Sequence, residues 1–343
     1  MEKTEATDIE KRKEQHIKNS MKKESQYART TGLELVELIH NAVPEIDYDK
    51  INTKARFLGK AFDSPLCISA ITGGFGAARE INLSFAEMSE KYKIPMGLGS
   101  QRAMVENPKL RETYYVKKEY PGAFVIGNIG GIQLKRYGTK KVADAVSSVE
   151  ADAIAVHINP LQEMIQPEGD RDWSGIYEKI AELKDDSKVP VIVKEVGEGI
   201  SKSVAFKLGK IGIEWIDVAG AGGTSWSKIE YMRGGGPKGF EEWGIPTALS
   251  VIMASPFAKV VATGGIRSGI DGAKSFVLGA DMFGAAMPFL KAHYEKNMDG
   301  LIKEWLTQFR HCMLLTGSKD LGELKNASYL LKGWLKEFND QMN

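Results

Sequence analysis

The stretch Ala262-Thr263-Gly264-Gly265-Ile266-Arg267-Ser268-Gly269, with Gly284-Ala285-Ala286 one strand-and-helix unit later, decides the fold. Lys259 to Ile266 reads as a buried strand that ends in a glycine turn, and a helix opens at Gly269-Ile270-Asp271. A strand feeding a Gly-rich turn and a helix N-terminus is a phosphate cradle. Its glycines let backbone N–H groups approach an anion, and the helix dipole favours negative charge. Late in a barrel of parallel strands, this is where phosphorylated cofactors sit. The motif points to a fold and a ligand type, not to a reaction.

Outward from that stretch, short apolar runs alternate with amphipathic ones. Strands are predicted at 66–72, 96–99, 124–129, 153–158, 191–196, 215–219, 260–263 and 282–286. Helical patterns lie between them at 82–91, 140–150, 176–184, 201–210 and 270–278. Strand, helix and strand repeat without hairpin turns, which argues for parallel strands with crossover helices. Eight such units over about 225 residues fit a closed (β/α)8 TIM barrel, an α/β fold, better than an open sheet. The barrel with a C-terminal helical extension is expected over 63–343, and an N-terminal arm with lead-in helices over 1–62. The first thirty or so residues read from composition as a solvated, partly mobile arm, and 31–62 as a cover for the bottom of the barrel. Leu301, Ile302, Trp305, Leu306, Phe309 and Met313 recur at helical spacing, and 329–338 repeats the pattern.

With 343 residues, 43% of them hydrophobic, the chain can bury a substantial core. A net charge of +1 gives no basic excess for nucleic acid or an anionic membrane. No apolar run approaches the ~18 residues of a membrane span, and the charged N-terminus lacks a signal-peptide core, so a soluble cytoplasmic protein is expected. Cys67 and Cys312 cannot build a disulfide framework. Cys67, in an apolar run, reads as a small buried side chain.

In a parallel barrel the reacting groups project from strand C-terminal ends. Those ends carry Thr72-Gly73-Gly74, Ser100-Gln101-Arg102, Asn128, His157 with Asn159, Gln162 and Glu163, Lys194-Glu195, and Gly220 through Trp226. Lys194 inside an apolar strand needs a reason, because a buried ammonium is costly without a partner. It is either paired with Glu195 or Asp217 or held against a ligand anion. By strand alternation, Glu195 should point away from the interior if Lys194 points in. Glu163 is the best metal candidate: one carboxylate suits Mg²⁺ that takes further ligands from water and a diphosphate. No His/Cys cluster has zinc spacing. The longest linker, about 40 residues between strands six and seven, holds Glu230, Arg233 and Gly234-Gly235-Gly236 and is either a lid or an ordinary loop.

These motifs resemble those of the type 2, flavin-dependent isopentenyl diphosphate isomerases. The resemblance runs nearly end to end: Arg12-Lys13-Glu14-Gln15-His16, Thr72-Gly73-Gly74, Gly99-Ser100-Gln101-Arg102, His157 through Glu163, Val193 through Gly197, Asp217 through Gly220 with Gly222 through Trp226, and Gly264 through Gly269. The resemblance implies FMN, Mg²⁺, NAD(P)H as flavin reductant, and interconversion of isopentenyl and dimethylallyl diphosphate. It implies that Ala70, Ile71, Thr72, Ser100, Asn128, Lys194 and Thr224 line the flavin, with its phosphate over Gly265, Ile266, Arg267, Ala285 and Ala286. Arg12, Lys13, Ser100, Gln101 and Arg102 would surround the substrate diphosphate, with His16, His157, Asn159 and Gln162 near it. Lys194, Gln162 and His157 are the implied catalytic groups and Glu163 the implied metal ligand. An arm reaching a neighbouring subunit's site implies a homo-oligomer, with a tetramer favoured. The chain departs from the pattern at Ile71, where relatives often carry Met, and at Glu198, where small or apolar residues are common. An FMN oxidoreductase of the 2-hydroxy acid oxidase type would share the cradle and the lysine but would not need Gln162-Glu163 or the basic arm. A non-catalytic flavin- or phosphate-binding barrel would show no response to Mg²⁺.

Overall fold

The computed structural model describes residues 8–342; residues 1–7 of the expected arm lie outside the described residues. Eight parallel strands close into a barrel: β1 (Leu66–Ile68), β2 (Pro95–Gly97), β3 (Phe124–Gly130), β4 (Ala153–His157), β5 (Val191–Lys194), β6 (Trp215–Asp217), β7 (Lys259–Ala262) and β8 (Met282–Ala285). β8 pairs with β1 in the register Phe283↔Leu66 to close the ring. Each strand is short because only the buried run of the β/α unit is needed to span a tilted barrel wall. Every predicted strand is present, so the period of apolar runs placed all eight.

Crossover helices pack their apolar stripes on the outside of the strands. Ala78–Tyr92 buries Ile81, Phe85 and Met88, and Met298–Leu315 buries Ile302, Trp305, Phe309 and Met313. A second apolar cluster fills the inside of the barrel. It holds Cys67, Phe124, Ile126, Ala155, Ile192, Trp215, Val261 and Met282, with Phe57 and Phe62 from outside the repeat. Those two phenylalanines belong to a hairpin, Ala55–Phe57 with Lys60–Phe62, that plugs the N-terminal end. Phe57 meets Trp215 edge-on at 4.6 Å between centroids, and Phe62 meets Phe124 at 5.1 Å. Cys67 is buried here, and burial pushes its thiol far above the usual range. It is an inert core side chain.

Two expectations change. Tyr329–Leu331 is not helical. It pairs antiparallel with Val36–Leu38, and only Gly333–Met342 continues as helix. Backbone pairing overrides the helical spacing, and Leu330 stays exposed. The charged arm is not a solvated tail either: Asp8–Ser20 is a helix with Ile17 and Ser20 buried. Its charges find partners at the barrel mouth. Among the described residues no helix is long and apolar enough to cross a membrane.

If the hairpin plugs the barrel, Phe57→Ala should lower unfolding stability by about 3–5 kcal/mol in urea, the usual cost of a large buried aromatic. A loss near zero would show that Phe57 is not part of the packed interior.

Candidate active site at the barrel mouth

The C-terminal ends of the strands open into two adjoining cavities. The larger, about 380 Å³, runs from Ser69, Ala70 and Ile71 past Lys194 and Thr224 to Gly265, Ile266, Arg267, Ala285 and Ala286. The smaller, about 150 Å³, is bounded by Arg12, Lys13 and His16 of the arm and by Thr72, Ser100, Arg102, Asn128, His157, Asn159, Gln162, Glu163 and Lys194. Ala70, Ile71, Lys194, Val196 and Trp226 are common to both, so the two halves share a wall.

The larger half fits a phosphorylated planar cofactor on two counts. Gly265 has φ +73°, and a Cβ there would meet the carbonyl carbon of Gly222 at 2.6 Å, so only glycine lets the two turns close beneath a ligand. The Ser69 hydroxyl lines this cavity, is buried, and has no partner; such a group calls for a ligand or water. The far end abuts the N-terminus of Met287–Tyr294, and Lys291, from that helix's last turn, adds a lining cation that sequence reading did not single out. Asp271 accepts from the Arg267 N–H at 2.9 Å and fixes the turn, while the Arg267 side chain stays exposed.

Lys194 ends β5 and reaches both halves. Its ammonium donates to the Glu195 carbonyl at 2.5 Å and lies 3.7 Å from Asp217 Oδ2. The lysine is therefore paired with Asp217 and at the same time lines both cavities. Glu195 turns away as alternation requires, its carboxylate accepting from the N–H groups of Val196, Gly197 and Glu198.

The smaller half is cationic. Lys13 Nζ donates to the Ser100 carbonyl at 2.5 Å and to Tyr114 Oη at 2.8 Å. Burial, then Arg12 and Arg102, pushes its pKa down to about 7. His157 Nδ1 lies 2.8 Å from Asn128 Oδ1. Burial, then Lys194 and Lys13, takes its pKa down to about 3, so His157 is neutral. With Nδ1 donating to the amide oxygen, Nε2 keeps its lone pair. Asn159 Nδ2 donates to Gln162 Oε1 at 3.0 Å, and Gln162 Nε2 donates to Glu230 Oε1 at 3.0 Å.

Glu163 is the acidic side chain bordering this half. It accepts from the Asp170 N–H at 2.9 Å and from Asn159 Nδ2 at 3.4 Å, and burial raises its pKa. A buried carboxylate without a cation is the donor a divalent ion would relieve. Among the described residues no cluster of three metal-ligating side chains occurs, so any ion here would complete its shell from water and ligand.

Gln101 is not brought to the cavity. It is buried, its Oε1 accepts from the Asn128 N–H at 2.9 Å, and its Nε2 faces the Ala145 carbonyl. The expected diphosphate contact is replaced by a brace between the loop after β2 and β3. Sequence reading also left Glu230 and Arg233 without a role. Glu230 is fully buried and pairs with Arg233, and its Oε1 lies 3.0 Å from His16 Nε2. Burial works to raise Glu230, but His16, Gln162 and Arg233 together hold it low. Glu168 joins Arg233 at 2.9 Å and Arg12 at 3.3 Å. The arm is thus pinned to the mouth of its own barrel, and the linker that carries Glu230 serves as its anchor. The helical 3-residue spacing of Glu230 and Arg233 was the available signal.

A parallel barrel with a glycine cradle and a buried lysine at its mouth defines the flavin-dependent barrel class. Residues 135–331 match the FMN-dependent dehydrogenase family. Solved structures of similar fold include a mandelate oxidase bearing an FMN adduct (TM-score 0.62, 15% identity, 93% of this chain and 92% of that one) and the flavin-binding domain of baker's yeast flavocytochrome b2 (0.66, 18%, 89% and 78%). Over nearly its whole length the chain is similar to curated isopentenyl-diphosphate delta-isomerases. It is 40% identical to that of Pyrococcus furiosus (96% of this chain, 89% of the relative) and 43% identical to that of Methanothermobacter thermautotrophicus (97% and 96%). The chain belongs to the type 2 isopentenyl-diphosphate delta-isomerase family.

Because Lys13 titrates near pH 7 when the cavity holds no anion, inorganic pyrophosphate should bind with proton uptake above that pH and weaken as pH rises further. An anion raises the lysine's pKa, so the affinity is fullest where Lys13 is already protonated. Calorimetry in two buffers of different ionisation enthalpy measures the uptake, and Lys13→Met should remove it. Equal uptake in both proteins would refute the assignment.

Proposed function

We propose that this enzyme interconverts isopentenyl diphosphate and dimethylallyl diphosphate in isoprenoid precursor synthesis, with FMN in the larger half of the mouth and a Mg²⁺-bound diphosphate in the smaller. The observation that carries the reading is the meeting of two binding chemistries on one wall: a glycine cradle with a buried lysine, and a cluster of Arg12, Lys13 and Arg102 beside the amides Asn159 and Gln162. Reduced FMN would supply the proton exchange and electron density that an unactivated alkene demands, without net redox.

The chain's own groups divide the remaining work. Arg12, Lys13 and Arg102 bind the diphosphate through charge-assisted hydrogen bonds, with Ser100 and His16 alongside. Glu163 holds Mg²⁺ against it. Lys194 places positive charge where a bound ring would carry negative charge. Ala70, Ile71, Thr72, Asn128 and Thr224 border the ring, and Gly265, Ile266, Arg267, Ala285 and Ala286 its phosphate. Gln162, oriented by Asn159 and Glu230, positions the hydrocarbon. Neutral His157 offers an acceptor and is no proton donor at neutral pH. Gln101 is left out of this set because its side chain faces the β3 backbone. NAD(P)H as reductant, a homo-oligomeric assembly and a cytoplasmic setting rest on the family resemblance and on composition.

Anaerobic turnover of isopentenyl diphosphate by enzyme with pre-reduced FMN, without net NADPH consumption, tests the reaction. Reduction of the bound FMN by a 2-hydroxy acid, with no isomerisation of isopentenyl diphosphate, would favour the 2-hydroxy acid oxidase type of chemistry. Lys194→Ala should lower kcat by about 10²–10³-fold, the usual loss of a preorganised electrostatic group. Unchanged turnover would defeat its role. Glu163→Gln should flatten the Mg²⁺ dependence of substrate binding, and an unaltered titration would exclude Glu163 as the ligand.

A further inference from the structure

Beneath Lys194 lies a carboxylate that the proposed chemistry leaves unused. β5 and β6 pair in register Lys194↔Asp217, so the two residues stand side by side at the ends of adjacent strands. Their side chains are 11% and 8% exposed. Asp217 Oδ1 is committed: the Thr263 hydroxyl and the Ala219 N–H both donate to it. Oδ2 faces Lys194 Nζ at 3.7 Å. Asp217 borders neither half of the mouth. It lines a small pocket of about 30 Å³ with Cys67, Ala70, Ile126 and Val261, and Lys194 is the cation that lines all three spaces.

A buried ammonium held from beneath has its position and its field set by its partner. We propose that Asp217, braced by Thr263, is a positioning residue that fixes the Lys194 ammonium under a bound flavin and tempers its charge there, and so sets the flavin's reduction potential. This rests on the reading that Lys194 faces the flavin. The arrangement predicts two substitutions of opposite sign. Asp217→Asn removes the negative charge, leaves Lys194 uncompensated, and favours the anionic reduced ring. Thr263→Ala leaves the charge but frees Oδ1, which draws the ammonium down and away.

The test is the FMN midpoint potential of holoenzyme at pH 8.5, with the FMN content of each variant recorded. Asp217→Asn should shift the two-electron equilibrium towards reduced flavin by at least tenfold, which is about 30 mV. Thr263→Ala should move it the other way. A purely structural role for Asp217 predicts no such pair of opposite shifts. Equal potentials in wild type and both variants, or shifts of one sign, overturn the proposal. Should Asp217→Asn not retain FMN, the Thr263→Ala shift alone decides, a fall supporting the proposal and no change refuting it. Lys194→Met separates the two layers of the argument. If it leaves the potential unchanged, the placement of the lysine against the flavin fails. If it lowers the potential while Asp217→Asn and Thr263→Ala do nothing, only the role of Asp217 fails.

Discussion

The cost of gathering cations in a poorly hydrated mouth governs the architecture around them. An unpaired ammonium or guanidinium loses several kcal/mol of solvation when buried. The chain answers this cost differently at each position. Lys13 stays close to losing its proton. Arg12 and Arg233 share Glu168, and Arg233 also takes Glu230. Lys194 takes Asp217 from beneath. Apart from Glu163, the compensating carboxylates stand outside the wall of the smaller cavity, so the cationic faces stay turned towards its space. Glu163 does border that space.

The FMN-dependent dehydrogenase match begins at residue 135. It takes in Lys194 and the cradle at Gly264 and Gly265, the parts a flavin needs. It also takes in His157, Asn159, Gln162 and Glu163 of the smaller cavity, and leaves out Arg12, Lys13, His16, Ser100 and Arg102. The smaller cavity thus draws both on the matched span and on the arm and the loop after β2 that precede it. The arm can dock because Glu168 and Glu230, from later β/α units, supply its counter-charges.

The eight strands were legible because buried parallel strands read as apolar runs whatever else surrounds them. Site residues at strand ends were legible for a related reason: in a parallel barrel every strand delivers its last side chains to the same mouth. What escaped notice depends on directions and pairings that no local period encodes. Gln101 sits between two residues that face the cavity, yet in a loop its amide is free to turn and bond the Asn128 N–H. Glu230 reaches Gln162 across 68 residues of sequence. The solvated-tail reading of the arm comes from composition alone, whereas the motif resemblance puts Arg12, Lys13 and His16 at the mouth, which they border. The plug hairpin at Phe57 and Phe62 is too short for alternation to register, and Tyr329–Leu331 becomes a strand only because Val36–Leu38 lies alongside.

Glu198 shows how a departure from the family pattern is accommodated. A carboxylate in the turn after β5 would repel an anionic ligand if it were ionised and facing the mouth. It borders neither half of the mouth. It lies buried against Glu195, with the Tyr27 hydroxyl 3.4 Å from Oε1 and Oε2 without a partner. Burial, and then the neighbouring charge of Glu195, raises its pKa well above the carboxylate range. Two carboxyl groups at such close quarters cannot both ionise, and Glu195, which accepts three backbone N–H bonds, is the one equipped to keep its charge. Burial thus favours the neutral form of Glu198, and its carboxyl lies outside both cavities.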